Sequence, residues 1–140
     1  MASTKSILLV DDDESDQLFF TMALRDLSSA RLEAVVENGR EALERLSAGV
    51  LPDVIFTDIQ MPVMDGVDLI RAIRSDPSLQ AIPIVAMSGH TGRLGLIREA
   101  GASAFIRKMA DQVLFAEWVQ RLAMLDYTDD SNIAAGTFEI

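Results

Sequence analysis

Four short signals in this 140-residue chain carry chemistry, and each follows an apolar run. Five of the six residues from position 11 to position 16 are acidic (Asp11, Asp12, Asp13, Glu14 and Asp16), directly after Ile7-Leu-Leu-Val10. Asp58 follows a second apolar run, Ser88 a third and Lys108 a fourth. Carboxylates brought within a few ångströms repel one another and tend to protonate. A hard divalent cation removes that conflict, and an all-oxygen ligand set fits Mg2+ rather than zinc or copper. An ammonium and a hydroxyl beside such a cation form a cage for phosphoryl oxygens. One carboxylate is then free to attack phosphorus and become an aspartyl phosphate. Lys108 stands out on usage alone. The chain has ten Arg and only two Lys, Lys5 and Lys108, so a lysine at a strand end reads as a demand for a compact ammonium.

The elements that must gather these groups are legible as alternating patterns. Residues 7–10, 54–56, 82–87 and 105–106 are strand-sized apolar runs, with 32–36 a weaker fifth. Several lack period-2 alternation, as strands covered on both faces should. Helical patterns fall between them at 15–27, 40–46, 67–74, 94–100 and 112–125. Asn38 with Glu41 reads as an N-cap with its capping-box partner, Asp65 as a second N-cap, and Gly101 as a helix stop. The order βαβαβαβαβα predicts parallel strands joined by right-handed crossovers. The expectation is an α/β, doubly wound, flavodoxin-like five-stranded sheet of order 2-1-3-4-5, with five helices. Ligands of such sheets lie beyond the carboxyl ends of the strands, and there Asp11, Asp12, Asp58, Ser88 and Lys108 should meet.

Composition narrows the classes of function. Hydrophobic residues make up 49% and charged residues 24%, a globular composition. The net charge of −10 argues against nucleic acid and against an anionic membrane surface. With no cysteine, thiol chemistry and thiolate metal sites are excluded, and a single histidine, His90, argues against a histidine zinc site. No apolar stretch is long enough to span a bilayer and the start is no signal peptide, so the cytoplasm is the expected compartment.

Four segments together resemble the response-regulator receiver domain of two-component signalling. They are Ile7-Leu-Leu-Val-Asp-Asp12, Asp58-Ile-Gln-Met-Pro-Val-Met-Asp-Gly66, Pro83-Ile-Val-Ala-Met-Ser88 and Gly101-Ala-Ser-Ala-Phe-Ile-Arg-Lys108. The likeness covers residues 5–125; residues 126–140 are expected to form an acidic, flexible tail. The resemblance implies that Asp58 is the phosphoacceptor. It implies that Mg2+ is held by Asp12, Asp58 and the backbone carbonyl of Gln60, with Asp11 acting through water. Ser88 and Lys108 would bind phosphoryl oxygens, Phe105 would be the aromatic that moves with the hydroxyl, and Gln60 and His90 would tune the phosphoryl lifetime. One departure is Met109, where the family usually has a Pro after a cis bond.

The same resemblance implies a sensor histidine kinase or phosphotransfer protein as partner, and output through the α4-β5-α5 face, by homodimer or downstream protein. The opening segment is loosely similar to receivers that serve phytochrome-type kinases. On a helical wheel the apolar positions of the fifth helix span about 180°, wider than a core stripe needs. Phe115, Trp118 and Leu122, with Phe20 on the first helix, are therefore expected on partner faces. With so short a chain after the fifth helix, output is expected through protein contact or phosphate relay. Two rivals remain at this point. Asp11-x-Asp13 after an apolar strand also resembles the nucleophile motif of haloacid-dehalogenase-type phosphatases, with Asp11 attacking, and a non-phosphorylated pseudo-receiver would act as a binding module.

Overall fold

The computed structural model describes residues 4–89, 92–108 and 111–127. Its elements are β1 (Lys5–Val10), α1 (Glu14–Arg25), β2 (Ala30–Val36), α2 (Gly39–Ser47), β3 (Val54–Asp58), α3 (Gly66–Ser75), β4 (Ile84–Ser88), α4 (Leu94–Ala100), β5 (Ala104–Arg107) and α5 (Gln112–Ala123). All strand pairs are parallel, and the sheet order is β2-β1-β3-β4-β5. This is the flavodoxin-like topology expected from the alternation.

Period 2 does operate in the strands, but both faces are apolar. Ile7, Leu9, Val54, Phe56, Val85, Met87, Ala104 and Ile106 point to a layer with α1 and α5. Leu8, Val10, Ile55, Ile84, Ala86 and Phe105 point to the opposite layer with α2, α3 and α4. Alternate residues thus feed two cores, which is why each run reads as continuously hydrophobic. Phe20 of α1 meets Phe56 of β3 edge-to-face, with ring centroids 4.9 Å apart.

Local chemistry sets the boundaries. Asp13 caps α1 by accepting the Asp16 N–H, and Asp65 and Asp111 do the same for α3 and α5. Asn38 caps α2 by accepting the Glu41 N–H, while the Glu41 carboxylate takes a hydrogen bond from the Asn38 side-chain amide. That is a variant of the capping box, whose acid ordinarily reaches the N-cap backbone. β4 starts at Ile84, two residues later than the apolar run, because Ile82 donates into a turn to the Leu79 carbonyl and Pro83 has no N–H to give. Gly101 ends α4 at φ +113°, in the left-handed region. Of the expected tail, Asp126 and Tyr127 are described and residues 128–140 lie outside the described residues. Tyr127 packs against the α1/α5 core and donates its hydroxyl to the Leu122 carbonyl. No described helix is long and apolar enough to cross a membrane.

Candidate functional site: an acidic crevice closed by a lysine

The carboxyl edge of the sheet forms a crevice of about 390 Å3, lined by Asp12, Asp13, Asp16, Asp58, Gln60, Ser88, Gly89 and Lys108. Each group arrives by a strand end. Asp11 and Asp12 follow β1, Asp58 and Ser88 are the last residues of β3 and β4, and Lys108 follows β5. Parallel pairing keeps these ends level. Asp58 lies opposite Met87 and Ser88 opposite Arg107, and the Lys108 N–H donates to the Ser88 carbonyl at 2.8 Å.

Three carboxylates share the Lys108 ammonium: Asp16 at 2.6 Å, Asp11 at 3.0 Å and Asp58 at 3.3 Å. Burial pushes the lysine down, but the hydrogen bond to Asp16 and the charges of Asp11 and Asp58 outweigh it, and its pKa lies above the ordinary value. The carboxylates respond the other way. Burial raises Asp11 to about 6, against the Asp13 N–H and Lys108, and burial also raises Asp58, against Lys108 and the Ile59 N–H. One ammonium does not fully compensate this much buried negative charge.

Carboxylate oxygens of Asp11, Asp12 and Asp58 all lie within 4.8 Å of one another. The donor set is oxygen only, Asp12 is exposed on the crevice side, and the two buried carboxylates are short of positive charge. A hard divalent cation fits these residues on all three counts. The loop after Asp58 is held close by α3. The Gly66 N–H donates to the Ile59 carbonyl at 2.8 Å, and a Cβ on Gly66 would collide with the Asp58 carbonyl oxygen. Gly66 is thus more than a helix start, because it lets α3 press against the strand end that presents Asp58. Arg93, before α4, reaches the α3 cap Asp65 at 3.6 Å.

Phe105 is buried in the core. His90 and the Lys108–Met109 bond lie outside the described residues. The partner-face expectation needs correction. Phe20, Phe115 and Leu122 are buried, because α1 and α5 pack on the same face of the sheet and against each other. The wide arc on α5 covers the sheet and α1 together. Trp118 alone of the four is half-buried, with the Arg121 guanidinium 4.9 Å above its ring. On these two helices the large apolar side chains left exposed are instead Leu18, Phe19 and Met22 of α1 and Val113 and Leu114 of α5. Sequence reading also assigned Asp16 to the helix start, and the structure puts its carboxylate on Lys108. The signal available was its position in the first turn of a helix that leaves the acidic strand end.

Clustered aspartates, a hydroxyl and a lysine thus meet at the carboxyl edge of a doubly wound sheet, the edge at which such sheets hold their ligands. The family model described as response regulator receiver domain matches residues 7–120, and the chain belongs to that family. Among curated relatives, the polar-differentiation response regulator DivK of Brucella anthropi is 32% identical over 120 residues, covering 83% of this chain and 94% of DivK. The two-component response regulator ORR6 of Oryza sativa subsp. japonica is 36% identical over 110 residues, 76% of this chain and 64% of ORR6. A protein-glutamate methylesterase/protein-glutamine glutaminase of Idiomarina loihiensis is 35% identical, but this chain spans only 28% of its length. Among solved structures, the phosphorylated cyanobacterial phytochrome response regulator RcpA superposes with a TM-score of 0.77 at 27% identity, over 84% of this chain and 90% of RcpA.

Proposed function

We propose that Asp58 accepts a phosphoryl group from a phosphohistidine on a sensor kinase or phosphotransfer protein, and that the domain relays this state through protein contact. The carrying observation is the crevice itself: Asp58 at the end of β3, facing the Lys108 ammonium, in a space it shares with Ser88. In the transfer, an Asp58 carboxylate oxygen bonds to phosphorus, the P–N bond of the donor breaks, and the imidazole leaves with the electron pair. Lys108 and Ser88 bind phosphoryl oxygens and stabilise the charge that gathers on them. Asp12, Asp58 and the Gln60 carbonyl would hold Mg2+, with Asp11 acting through water, and Mg2+ supplies charge neutralisation at the transferring group. Gln60 lies at the crevice, where it would influence the access of water and hence the lifetime.

Two further features support a partner-dependent role. The exposed Phe19, Met22 and Val113 line a groove of about 390 Å3 between α1 and α5, beside the crevice. This is the surface on which the phosphodonor would dock. The likeness to RcpA, described as a phosphorylated phytochrome response regulator, favours a light-sensing kinase among candidate donors. A change around Ser88 and Phe105 would reach the α4-β5-α5 face, where a second copy or a downstream protein would read it.

The phosphatase reading finds little support. α1 begins at Glu14, three residues after Asp11, which leaves no room for a hairpin or cap there. Asp11 is also buried, accepting from the Asp13 N–H and Lys108. The deciding experiment is intact-mass measurement after acetyl phosphate and Mg2+. One phosphoryl adduct on wild type and none on Asp58→Asn is expected. Multiple-turnover phosphomonoester hydrolysis that survives in Asp58→Asn and disappears in Asp11→Asn would overturn the receiver chemistry, and no adduct on wild type would favour a binding module.

A further inference from the structure

Lys108 has three hydrogens to donate and three carboxylates around it, and its shortest contact is with the one outside the cation cluster. Asp16 lies on α1, and its backbone N–H is tied to the Asp13 cap at 3.0 Å, which fixes where its carboxylate starts. That carboxylate lies at 2.6 Å from the Lys108 Nζ. Asp58, the proposed phosphoacceptor, is the most distant of the three at 3.3 Å. Asp16 lines the crevice and also a small cavity of about 30 Å3 behind the ammonium, bounded by Phe19, Gln112 and Phe115. The ammonium therefore sits between the phosphoryl crevice and the α1/α5 junction, and Asp16 draws it toward the junction.

Resting on the reading of Asp58 as phosphoacceptor, we propose that Asp16 is a positioning residue that holds the Lys108 ammonium toward α1 in the unphosphorylated domain and so opposes phosphorylation. Two effects act in the same direction. A phosphoryl group on Asp58 brings new negative oxygens that compete for Lys108, so the Asp16 contact must lengthen as the phosphoryl contact forms. The Asp16 carboxylate also repels those oxygens across the crevice. Neither effect involves a cation ligand, since Asp16 is not one of the three clustered carboxylates. Asp16 thereby couples α1, which bears the exposed Phe19 and Met22, to the lysine that completes the site. A partner docking on α1 would act on Lys108 through this contact.

The test uses the full chain with Asp16→Asn, and Asp16→Ser as a second neutral replacement that suits a helix first turn. Phosphorylation by acetyl phosphate with Mg2+ should be about three- to tenfold faster in both, the size of one half-buried ion pair. Affinity for beryllofluoride, a phosphoryl mimic, should rise by a similar factor. A purely structural role for Asp16 would not tighten a phosphoryl mimic. With only two lysines in the chain, lysine-selective NMR of the metal-free protein supplies a direct readout. The Lys108 side-chain signal should move in both variants while that of Lys5 stays. A labelled wild type with folded variants that are no faster and bind the mimic no tighter would overturn this role and leave the Asp58 reading intact. A wild type that takes no label overturns both.

Discussion

Two cations anchor the two ends of the sheet, and they are partnered in opposite ways. At the carboxyl edge the Lys108 ammonium is divided among three carboxylates from β1, α1 and β3, more negative charge than it can satisfy. At the amino edge the Arg74 guanidinium, from the end of α3, meets only neutral acceptors among the described residues. It donates to the carbonyls of Gly101 at 2.8 Å, Gln80 at 3.0 Å and Ile82 at 2.7 Å, and to the Ser103 hydroxyl at 3.3 Å. Burial lowers the Arg74 pKa, but guanidinium stays charged under any ordinary condition. The planar fork of Arg suits several fixed carbonyls, while the point charge of Lys suits partners that must change. One end is a clamp on fixed neutral acceptors, and the other divides one cation among three like charges. Ligand chemistry in open α/β sheets belongs at the second kind of edge.

The largest effect should come from breaking the clamp. Arg74→Met removes the donor to three carbonyls, at the end of α4 and in the α3–β4 turn, and to the Ser103 hydroxyl before β5, and leaves them short of a partner in a half-buried site. A loss of about 3 kcal/mol is expected, read by urea or thermal unfolding. Phosphorylation of Asp58 at low temperature should be unchanged. A variant with altered phosphorylation but wild-type stability would erase the division between the two ends.

The opposite sign is expected at the carboxyl edge. Asp11 has a pKa of about 6 in the fold against an ordinary 3.8, so the folded state favours its neutral form. Its favourable contribution is therefore full at low pH and is lost as pH rises between those two values. Above that window the charged, buried carboxylate destabilises the metal-free domain. Asp11→Asn should then be more stable than wild type by about 1–2 kcal/mol near neutral pH, after allowance for solvent screening. Near pH 4 the two should be alike, and Mg2+ should narrow the gap by stabilising wild type more than the variant. A gap that does not change with pH would show that charge at Asp11 is not the cause.

These two edges also differ in how well the chain's residues announced them. The strand-end residues were readable because a parallel sheet presents its carboxyl edge whatever the details of packing, so Asp58, Ser88 and Lys108 had to converge. Arg74 was invisible, since nothing in a helix-terminal arginine says that its acceptors are three carbonyls six to twenty-seven residues further on and a hydroxyl at twenty-nine. Phe20, Phe115 and Leu122 misled for a related reason. A helical wheel measures the width of an apolar face and does not tell which part meets the sheet, a second helix or solvent. Asp16 was legible as a helix residue and not as a lysine partner, because the contact depends on how α1 lies against the end of β5.

The smallest expected effect tests whether strain, like charge conflict, is confined to the carboxyl edge. Val63, in the loop between β3 and α3, has φ +68°, a region that a β-branched residue enters only at a cost. The turn is tight, with the Met64 N–H donating to the Pro62 carbonyl at 2.7 Å across Val63. Its side chain is 74% exposed, so packing offers little in return. Asn tolerates this backbone region far better and avoids the added unfolded-state freedom of Gly. Val63→Asn should therefore stabilise the domain by about 1 kcal/mol, with Val63→Gly gaining less. If strain in this loop also helps present Asp58 and the Gln60 carbonyl, the stabilised variant should phosphorylate more slowly with acetyl phosphate. Equal rates would mean that the strain is a local consequence of the turn, and that charge alone separates the working edge from the clamped one.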